Sequence, residues 1–278
     1  MRCFCPSSSI CLLALDTRFV RKVDDMRRRS FLLGLGLLMA GSVAGGLWAR
    51  FGLPLLNGWG QWLPDFGPAE QADRSGRSRS AIPLPEEMAQ GALSLEEAID
   101  HRRSVRKYSD QPLQLEELSR LLHAADGITE PRYGFRAAPS AGALYPLELY
   151  VVTNRVRQLD QGIYHYLADS HSLELIRGGD FGGAAASAAL GQEVIANAAA
   201  VLVVSAVMER TRKKYGSRAE RYVLLEAGHV GQNVYLAATA LGLGICAVGA
   251  FYDDELNRLL TLDAPREAAL YLLAVGRL

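Results

Sequence analysis

The stretch of this sequence best equipped for chemistry is residues 102–108, where four cations surround one serine hydroxyl. The planar guanidinium group of arginine can form two parallel, charge-assisted hydrogen bonds with a phosphate group. Three arginines and one serine can therefore neutralise a phosphate group and still reach a second electron-rich atom. These candidate binding residues are Arg102, Arg103, Ser104 and Arg106. The alternative is a solvated basic helix end that is favoured only by the helix dipole.

A helix must precede these cations and position them. Ser94, followed three residues later by Glu97, has the pattern of a capping box at a helix start. Ala98 and Ile99 continue the helix, so the arginines fall at or just beyond its end.

A second candidate is the loop of small residues at 136–146, which has no charged side chain after Arg136 and leads into an apolar strand at 147–153. A loop with such small side chains lets a flat molecule lie against the backbone. The alternative is an ordinary surface connection, for which the lack of charge would be unusual.

The remaining pattern mixes helices with strands and includes a hairpin. This favours an α+β fold over a doubly wound parallel sheet. Helices are predicted at 113–125, 219–241 and from Asp253, the hairpin at 162–176, and further strands at 198–207, 245–251 and 268–275.

Several other functional classes are disfavoured. A formal net charge of +0 argues against nucleic-acid binding. The chain lacks a P-loop and a nucleophile elbow, and its Gly242-x-Gly244 pair follows a helix, which disfavours a Rossmann site. No His, Cys and carboxylate cluster has metal-ligand spacing, so no metal site is predicted.

The amino end has the features of a targeting segment. Arginines at 27–29 precede an uncharged run at 31–49 that is long enough to cross a bilayer. The arginines followed by Ser-Phe-Leu resemble a twin-arginine export signal, and an ordinary signal anchor is the alternative. Residues 1–49 are therefore predicted to export the protein or anchor it outside the cytoplasm. Because Met26 directly precedes the arginines, residues 1–25 are interpreted as a misassigned start.

The next segment, residues 50–92, is rich in Gly, Pro, Ser and Arg and has no sustained hydrophobic periodicity. This composition predicts a flexible linker. The folded domain is accordingly predicted to span residues 93–278.

Taken in order, the motifs of residues 93–278 resemble those of the nitroreductase family of FMN enzymes, and more closely its SagB-type branch of azoline dehydrogenases. The matching segments are 102–106, 139–146, 214–222, 225–229, 232–233 and 242–244. The resemblance implies a nitroreductase-like α+β fold and an intertwined homodimer with FMN at the subunit interface.

The resemblance also implies roles for individual residues. The flavin phosphate and the pyrimidine edge would be held by Arg102, Arg103, Ser104 and Arg106, with Arg277 as a late phosphate-binding cation. The loop reaching the flavin from the partner subunit would contain Pro139, Ser140 and Gly142, and the backbone strip beneath the ring Val248, Gly249 and Ala250. An arginine beside the pyrimidine edge would stabilise the negative charge of a reduced flavin.

In the SagB-type branch, a Lys–Tyr pair is implied in deprotonating an azoline while a hydride leaves to the flavin. Lys214 and Tyr215 match this pair, and a solvated basic loop is the alternative. Ordinary nitroreductases often place Asn and Gln in the partner loop, where this chain has Ala143 and Tyr145. That difference favours azoline oxidation over nitroaromatic chemistry. Glu226, on the helix that follows, is interpreted as polar core structure rather than a catalytic group.

The leading hypothesis is an FMN-dependent oxidoreductase that transfers a hydride at flavin N5. Its substrate is left open between a C–N bond of a peptide or small metabolite and a quinone or nitro compound. Export would separate the protein from cytoplasmic peptide-modifying enzymes, which favours a periplasmic redox role. The alternative is a non-catalytic flavin-binding module tethered to the membrane.

Overall fold

The computed structural model of the protein describes residues 81–278. The predicted export signal or anchor at 1–49 and residues 50–80 of the predicted linker lie outside the described residues. Within residues 81–278, no helix has both the length and the apolar character needed to cross a membrane.

The described residues are built around one large antiparallel sheet. Its strands are β1 Ala81–Pro83, β4 Leu147–Thr153, β5 Gly162–Leu167, β6 Ser172–Gly178, β7 Ala200–Val207, β8 Leu243–Val248 and β9 Glu267–Arg277. They are arranged in the order β1-β6-β5-β4-β7-β9-β8. The strands β2 Ile128–Glu130 and β3 Phe135–Arg136 form a separate small ribbon.

Helices cover both faces of the large sheet. They are α1 Leu95–His101, α2 Leu115–Asp126, α3 Gly182–Ala188, α4 Glu193–Ala196, α5 Met208–Tyr215, α6 Ala219–Ala240 and α7 Asp253–Leu259. The alternation of side chains along a strand divides the core into two layers. In β4, Leu149 and Val151 pack with residues of α2 and α6, whereas Tyr150 and Val152 pack with residues of α3, α4 and α7. The predicted α+β class is confirmed.

Local sequence signals explain several of these elements. The capping box is present, because Ser94 Oγ accepts the Glu97 N–H at 3.2 Å and Glu97 Oε2 accepts the Ser94 N–H at 2.9 Å. The predicted hairpin is formed by β5 and β6. The helices α3 and α4 were not predicted, because the alanine- and glycine-rich sequence of α3 has no alternating polar face and α4 is a single turn.

The prediction of a flexible linker is wrong for residues 81–92. Ala81–Pro83 pairs with β6, Leu84 is buried, and the Ala92 N–H donates to the Ala240 carbonyl at 2.9 Å. Three extended residues can join a sheet edge without hydrophobic periodicity, because the neighbouring strand supplies their hydrogen-bond partners. The described domain therefore includes residues 81–92 as well as 93–278.

Candidate functional site

The predicted basic segment lies along one end of the sheet. The Val105 N–H donates to the Ile245 carbonyl of β8 at 2.8 Å, and the Ser109 N–H donates to the Arg277 carbonyl of β9 at 2.8 Å. Between these bonds the Tyr108 ring lies on Gly276, where an added Cβ would be 2.5 Å from the ring. A glycine is therefore required there, since any side chain would displace the tyrosine and lift the segment from the sheet.

The hydroxyl of Tyr235, on α6, connects the basic segment with β8. It lies 2.9 Å from Ser104 Oγ and accepts the Ala247 N–H at 2.8 Å. The guanidinium carbon of Arg102 is 5.3 Å from the centre of the same ring, within the range of a cation–π contact. Tyr235 is thus a site residue that the sequence did not reveal, because nothing in a helical pattern indicates what a tyrosine hydroxyl will bind.

The other predicted phosphate-binding cations have protein partners. Arg103 Nη1 donates to the carbonyls of Asp100 and Arg102, and Arg106 Nη1 donates to the Ser104 carbonyl at 3.4 Å. Arg277 Nη2 forms a salt bridge of 2.7 Å with Glu117. Of the predicted phosphate-binding residues, only Arg102 and Ser104 contact a common residue, Tyr235. A phosphate group bound by both Arg102 and Arg277 therefore stays a prediction.

The small-residue loop has an unusual backbone. Gly142 has φ 68°, Ala143 has φ 53° and Tyr145 has φ 42°. The left-handed region is unfavourable for residues with a Cβ, so Ala143 and Tyr145 need support from their surroundings. Part of this support is visible, because the Tyr145 N–H donates to Ser140 Oγ at 2.9 Å and Arg210 Nη1 donates to the Tyr145 carbonyl at 2.8 Å.

The predicted Lys–Tyr pair meets this loop. A Cβ atom added to Gly142 would lie 2.7 Å from Tyr215 Oη and 2.8 Å from Lys214 Nζ. The two side chains come from the end of α5, and Lys214 Nζ is 5.6 Å from the centre of the Tyr215 ring. Gly142, Lys214 and Tyr215 therefore form one cluster within a single protomer.

A buried carboxyl group, that of Glu226, lies on α6 and is 3% exposed. Burial raises the pKa of Glu226 to about 7, and the nearby Asp126 carboxylate acts in the same direction. Burial also raises the pKa of Asp126 to about 7, although its salt bridge with Arg136 opposes the rise.

A second polar cluster lies beside the end of the loop. Arg210, which holds the Tyr145 carbonyl, also forms a salt bridge of 2.6 Å with Glu148. Glu148 lies 2.7 Å from the buried His165. The sequence indicated only that Arg210 belongs to a charged segment, whereas the structure shows that it connects α5 with the start of β4.

The predicted backbone strip follows β8. Val248 is buried, whereas Gly249 and Ala250 are exposed. A Cβ atom added to Gly249 would meet no atom within 4 Å, and Gln192 Nε2 donates to the Ala250 carbonyl at 3.0 Å. The Gly249 backbone thus faces open space, while the Ala250 carbonyl next to it is held by Gln192.

Comparison with known proteins places this geometry in context. A family model described as the nitroreductase family matches residues 99–277. A Methanocaldococcus jannaschii protein that bears the name of a nitroreductase is 49% identical over 185 residues, which cover 66% of this chain and 91% of that protein. The microcin B17-processing protein McbC of Escherichia coli is 28% identical over 180 residues, which cover 59% of this chain and 62% of McbC.

Among solved structures, one from Anabaena variabilis, also named as a nitroreductase, is 30% identical with a TM-score of 0.63. The match covers 72% of this chain and 42% of that one. The chain thus spans nearly all of the Methanocaldococcus relative but less than two thirds of the length of the other two.

Proposed function

Because the chain belongs to the nitroreductase family, we propose that it is an FMN-dependent oxidoreductase of the branch that contains the SagB-type dehydrogenases. The assignment to this branch is supported by the similarity to McbC, a microcin-processing protein. The observation that carries it is the convergence of Lys214 and Tyr215 on Gly142.

The residues of the site fit FMN in two respects. The basic segment offers guanidinium groups and a hydroxyl suited to a phosphate group that carries nearly two negative charges. The open space at Gly249 leaves room for a flat ring against the backbone. Tyr235 joins β8, which ends just before Gly249, to the basic segment. When bound, FMN supplies the exchange of a hydride at its N5 atom.

The Lys–Tyr pair would supply the proton transfer of the reaction. Oxidation of an azoline to an azole breaks two C–H bonds on neighbouring carbons and forms a C=C bond. One hydrogen would leave as a hydride, which bound FMN would accept, and the other would leave as a proton to a base. Lys214 Nζ and Tyr215 Oη are the groups that would accept and hold this proton, because both lie at the same point of the loop.

The proposed substrate is an azoline ring derived from a peptide or a small metabolite. A quinone or nitro compound is the alternative. Its reduction needs no base that removes a proton from carbon, because such a compound accepts a hydride and a proton from solvent. The presence of a paired Lys and Tyr, rather than a single polar residue, favours the substrate that must lose a proton from carbon.

We also propose a homodimer, in which a second copy covers the exposed face of α6. Leu224 and Leu225 are 51% and 53% exposed, and they line an open depression of about 470 Å³ with Glu220 and Arg221. A second copy that packed on these leucines would remove their apolar side chains from water. Light scattering should give the mass of a dimer for the wild type and of a monomer for Leu225→Glu. The control Leu190→Glu, which changes an exposed leucine elsewhere, should remain a dimer.

The proposed reaction is tested with Lys214→Met and Tyr215→Phe, with Lys213→Met as the matched control on the same helix. All three variants should retain the flavin absorbance of the wild type. Oxidation of a synthetic thiazoline carboxamide should fall by about 10²–10⁴-fold in the first two variants, while quinone reduction by the pre-reduced flavin should be unchanged. Equal thiazoline rates in all the proteins would contradict the role of the pair, and a colourless protein that takes up no added FMN would contradict the cofactor.

A further inference from the structure

We propose that Arg210 is a positioning residue, whose guanidinium group holds the loop at residues 140–145 so that Gly142 meets the side chains of Lys214 and Tyr215. The inference rests on the proposed function, because it assigns to Arg210 the geometry of the groups that would transfer the proton. Arg210 acts through the loop and not on the substrate.

The first observation is the way in which Arg210 divides its donors. Its Nη1 donates to the Tyr145 carbonyl at 2.8 Å, and its Nη2 forms a salt bridge of 2.6 Å with Glu148. Because the guanidinium group is planar, two bonds from two of its nitrogens fix its orientation as well as its position. The Val207 N–H donates to the Pro146 carbonyl at 2.8 Å and holds the chain just after the turn. Arg210 holds the last carbonyl of the turn itself.

The second observation is that this carbonyl ends a strained segment. Ala143 has φ 53° and Tyr145 has φ 42°, in the left-handed region that residues with a Cβ rarely adopt. Residues in this conformation persist when the surroundings determine their position from several sides. Ser140 supplies one restraint, because its carbonyl accepts the Ala143 N–H at 3.1 Å and its hydroxyl accepts the Tyr145 N–H at 2.9 Å. Arg210 supplies the restraint at the carbonyl of Tyr145.

The third observation is the position of Arg210 on α5. Arg210 and Lys214 are four residues apart, so they lie on the same face of the helix and about 6 Å apart along its axis. The helix therefore meets the loop at two points, with Arg210 at the Tyr145 carbonyl and with the Lys–Tyr pair at Gly142. A loop that lost the first contact would be free to move away from the second.

Glu148 gives Arg210 a fixed support. Its Oε2 is 2.7 Å from Nε2 of His165, whose side chain is 4% exposed. The rings of His165 and Tyr150 have their centres 4.8 Å apart, and the Tyr150 hydroxyl donates to Glu267 at 3.1 Å. These contacts connect the Glu148 carboxylate with the strands β4, β5 and β9. Because the Glu148 side chain is 14% exposed, water screens its attraction for Arg210 only in part.

The test compares Arg210→Met with the matched control Arg212→Met in the purified full chain. Arg212 lies on the same helix with its side chain 59% exposed, and it forms a surface salt bridge of 3.6 Å with Glu209. Hydrogen exchange read by mass spectrometry should rise about tenfold at the backbone amides of residues 141–145 in Arg210→Met, which corresponds to the loss of one hydrogen bond to a charged group. Arg212→Met should exchange like the wild type. This measurement needs neither substrate nor bound flavin.

Turnover separates positioning from a merely structural role. In the flavin-loaded protein, Arg210→Met should lower the kcat of thiazoline oxidation by about 10–10²-fold, with KM and quinone reduction unchanged. The loss should disappear when Lys214→Met is also present, because a residue that acts through the pair adds nothing once the pair is broken. A residue that binds the substrate would raise KM instead, and a residue that only stabilises the fold would lower both reactions.

Unchanged loop exchange in Arg210→Met would overturn the inference, and so would an equal rise in Arg212→Met. Equal fold-losses of turnover with and without Lys214→Met would also overturn it. If Arg210→Met does not fold, the double variant Arg210→Met/Glu148→Gln, which leaves no unpaired carboxylate at position 148, takes its place in every comparison. A wild-type chain that binds no FMN or oxidises no thiazoline would contradict the proposed function, whereas the exchange measurement would still decide whether Arg210 holds the loop.

Discussion

Ser104 Oγ lies 2.9 Å from Tyr235 Oη, and this contact joins the basic segment to the long helix α6. The same hydroxyl of Tyr235 accepts the Ala247 N–H of β8. One phenol group therefore sets the distance between the cations proposed for the phosphate and the backbone proposed for the ring. This relationship makes the cofactor assignment testable at a residue that would itself contact no phosphate.

Tyr235→Phe should weaken FMN binding without abolishing it. The variant removes two hydrogen bonds of about 1 kcal/mol each that hold the basic segment against β8 before FMN binds. FMN binding must then order the segment, so the dissociation constant should rise by up to roughly 30-fold. Titration of the apoprotein with FMN, followed by quenching of flavin fluorescence, measures the change. Tyr252→Phe, at an exposed tyrosine, is the control and should bind FMN like the wild type. Equal affinity in both variants would show that Tyr235 does not organise the site.

Arg102→Ala should release FMN more readily as the salt concentration rises. Removing a guanidinium group that neutralises phosphate weakens an interaction that salt already screens. Retention of flavin after gel filtration at about 0.5 M salt, compared with retention at low salt, measures the effect. Arg266→Ala, which removes a cation 84% exposed in its side chain, should retain as much flavin as the wild type. Full retention by Arg102→Ala under both conditions would contradict the phosphate assignment.

Gly142→Ala should damage the site more than a matched substitution at Gly134. Both glycines have φ near 67°, but a Cβ at Gly134 would meet no atom within 4 Å. Gly134→Ala should therefore lower the free energy of unfolding by about 1 kcal/mol, the effect of the left-handed backbone alone. Gly142→Ala adds the collision with Lys214 Nζ and Tyr215 Oη, so it should also slow thiazoline oxidation. Chemical denaturation and turnover measurements separate the two effects, and identical behaviour of the two variants would contradict the contact.

The stability difference between the wild type and Glu226→Gln should depend on pH. The pKa of Glu226 is raised from 4.5 to about 7 in the folded protein, so the folded state binds more protons than the unfolded state between these values. The contribution of Glu226 to stability is therefore fully present below about pH 4.5 and is lost as the pH rises to about 7, with a slope of at most about 1.4 kcal/mol per pH unit. Asp126, whose pKa is also raised, is present in both proteins, so the comparison measures the titration of Glu226 together with its coupling to Asp126. Denaturation curves from pH 4.5 to 8 measure the slope, and a difference independent of pH would contradict the shift.

The sequence predicted those features that depend on local patterns. The capping box at Ser94 and Glu97, the hairpin of β5 and β6, and the α+β class were predicted from residue types and spacing. Such features are readable because the interacting residues are close in the chain. The contact of Lys214 with Gly142 was not predicted, because nothing in the spacing of the two residues indicates it.

Features that depend on distant partners were missed. Tyr235 was not distinguished from other residues of α6, because only the folded chain shows that Ser104 and Ala247 are its partners. Ala81–Pro83 was assigned to a linker for the same reason, since its hydrogen bonds come from β6. In each case the contact is made with a residue far away in the sequence, so the segment itself does not indicate it.

The pairing of Ala81–Pro83 with β6 has a practical consequence for anyone who shortens this protein. A version that starts at residue 93 would strip the outer strand from the sheet and leave the amide and carbonyl groups of β6 open to a neighbouring molecule. Such a fragment would tend to aggregate even if its flavin site were intact. A shortened protein should begin before Ala81, so that β1 remains the edge strand of the sheet.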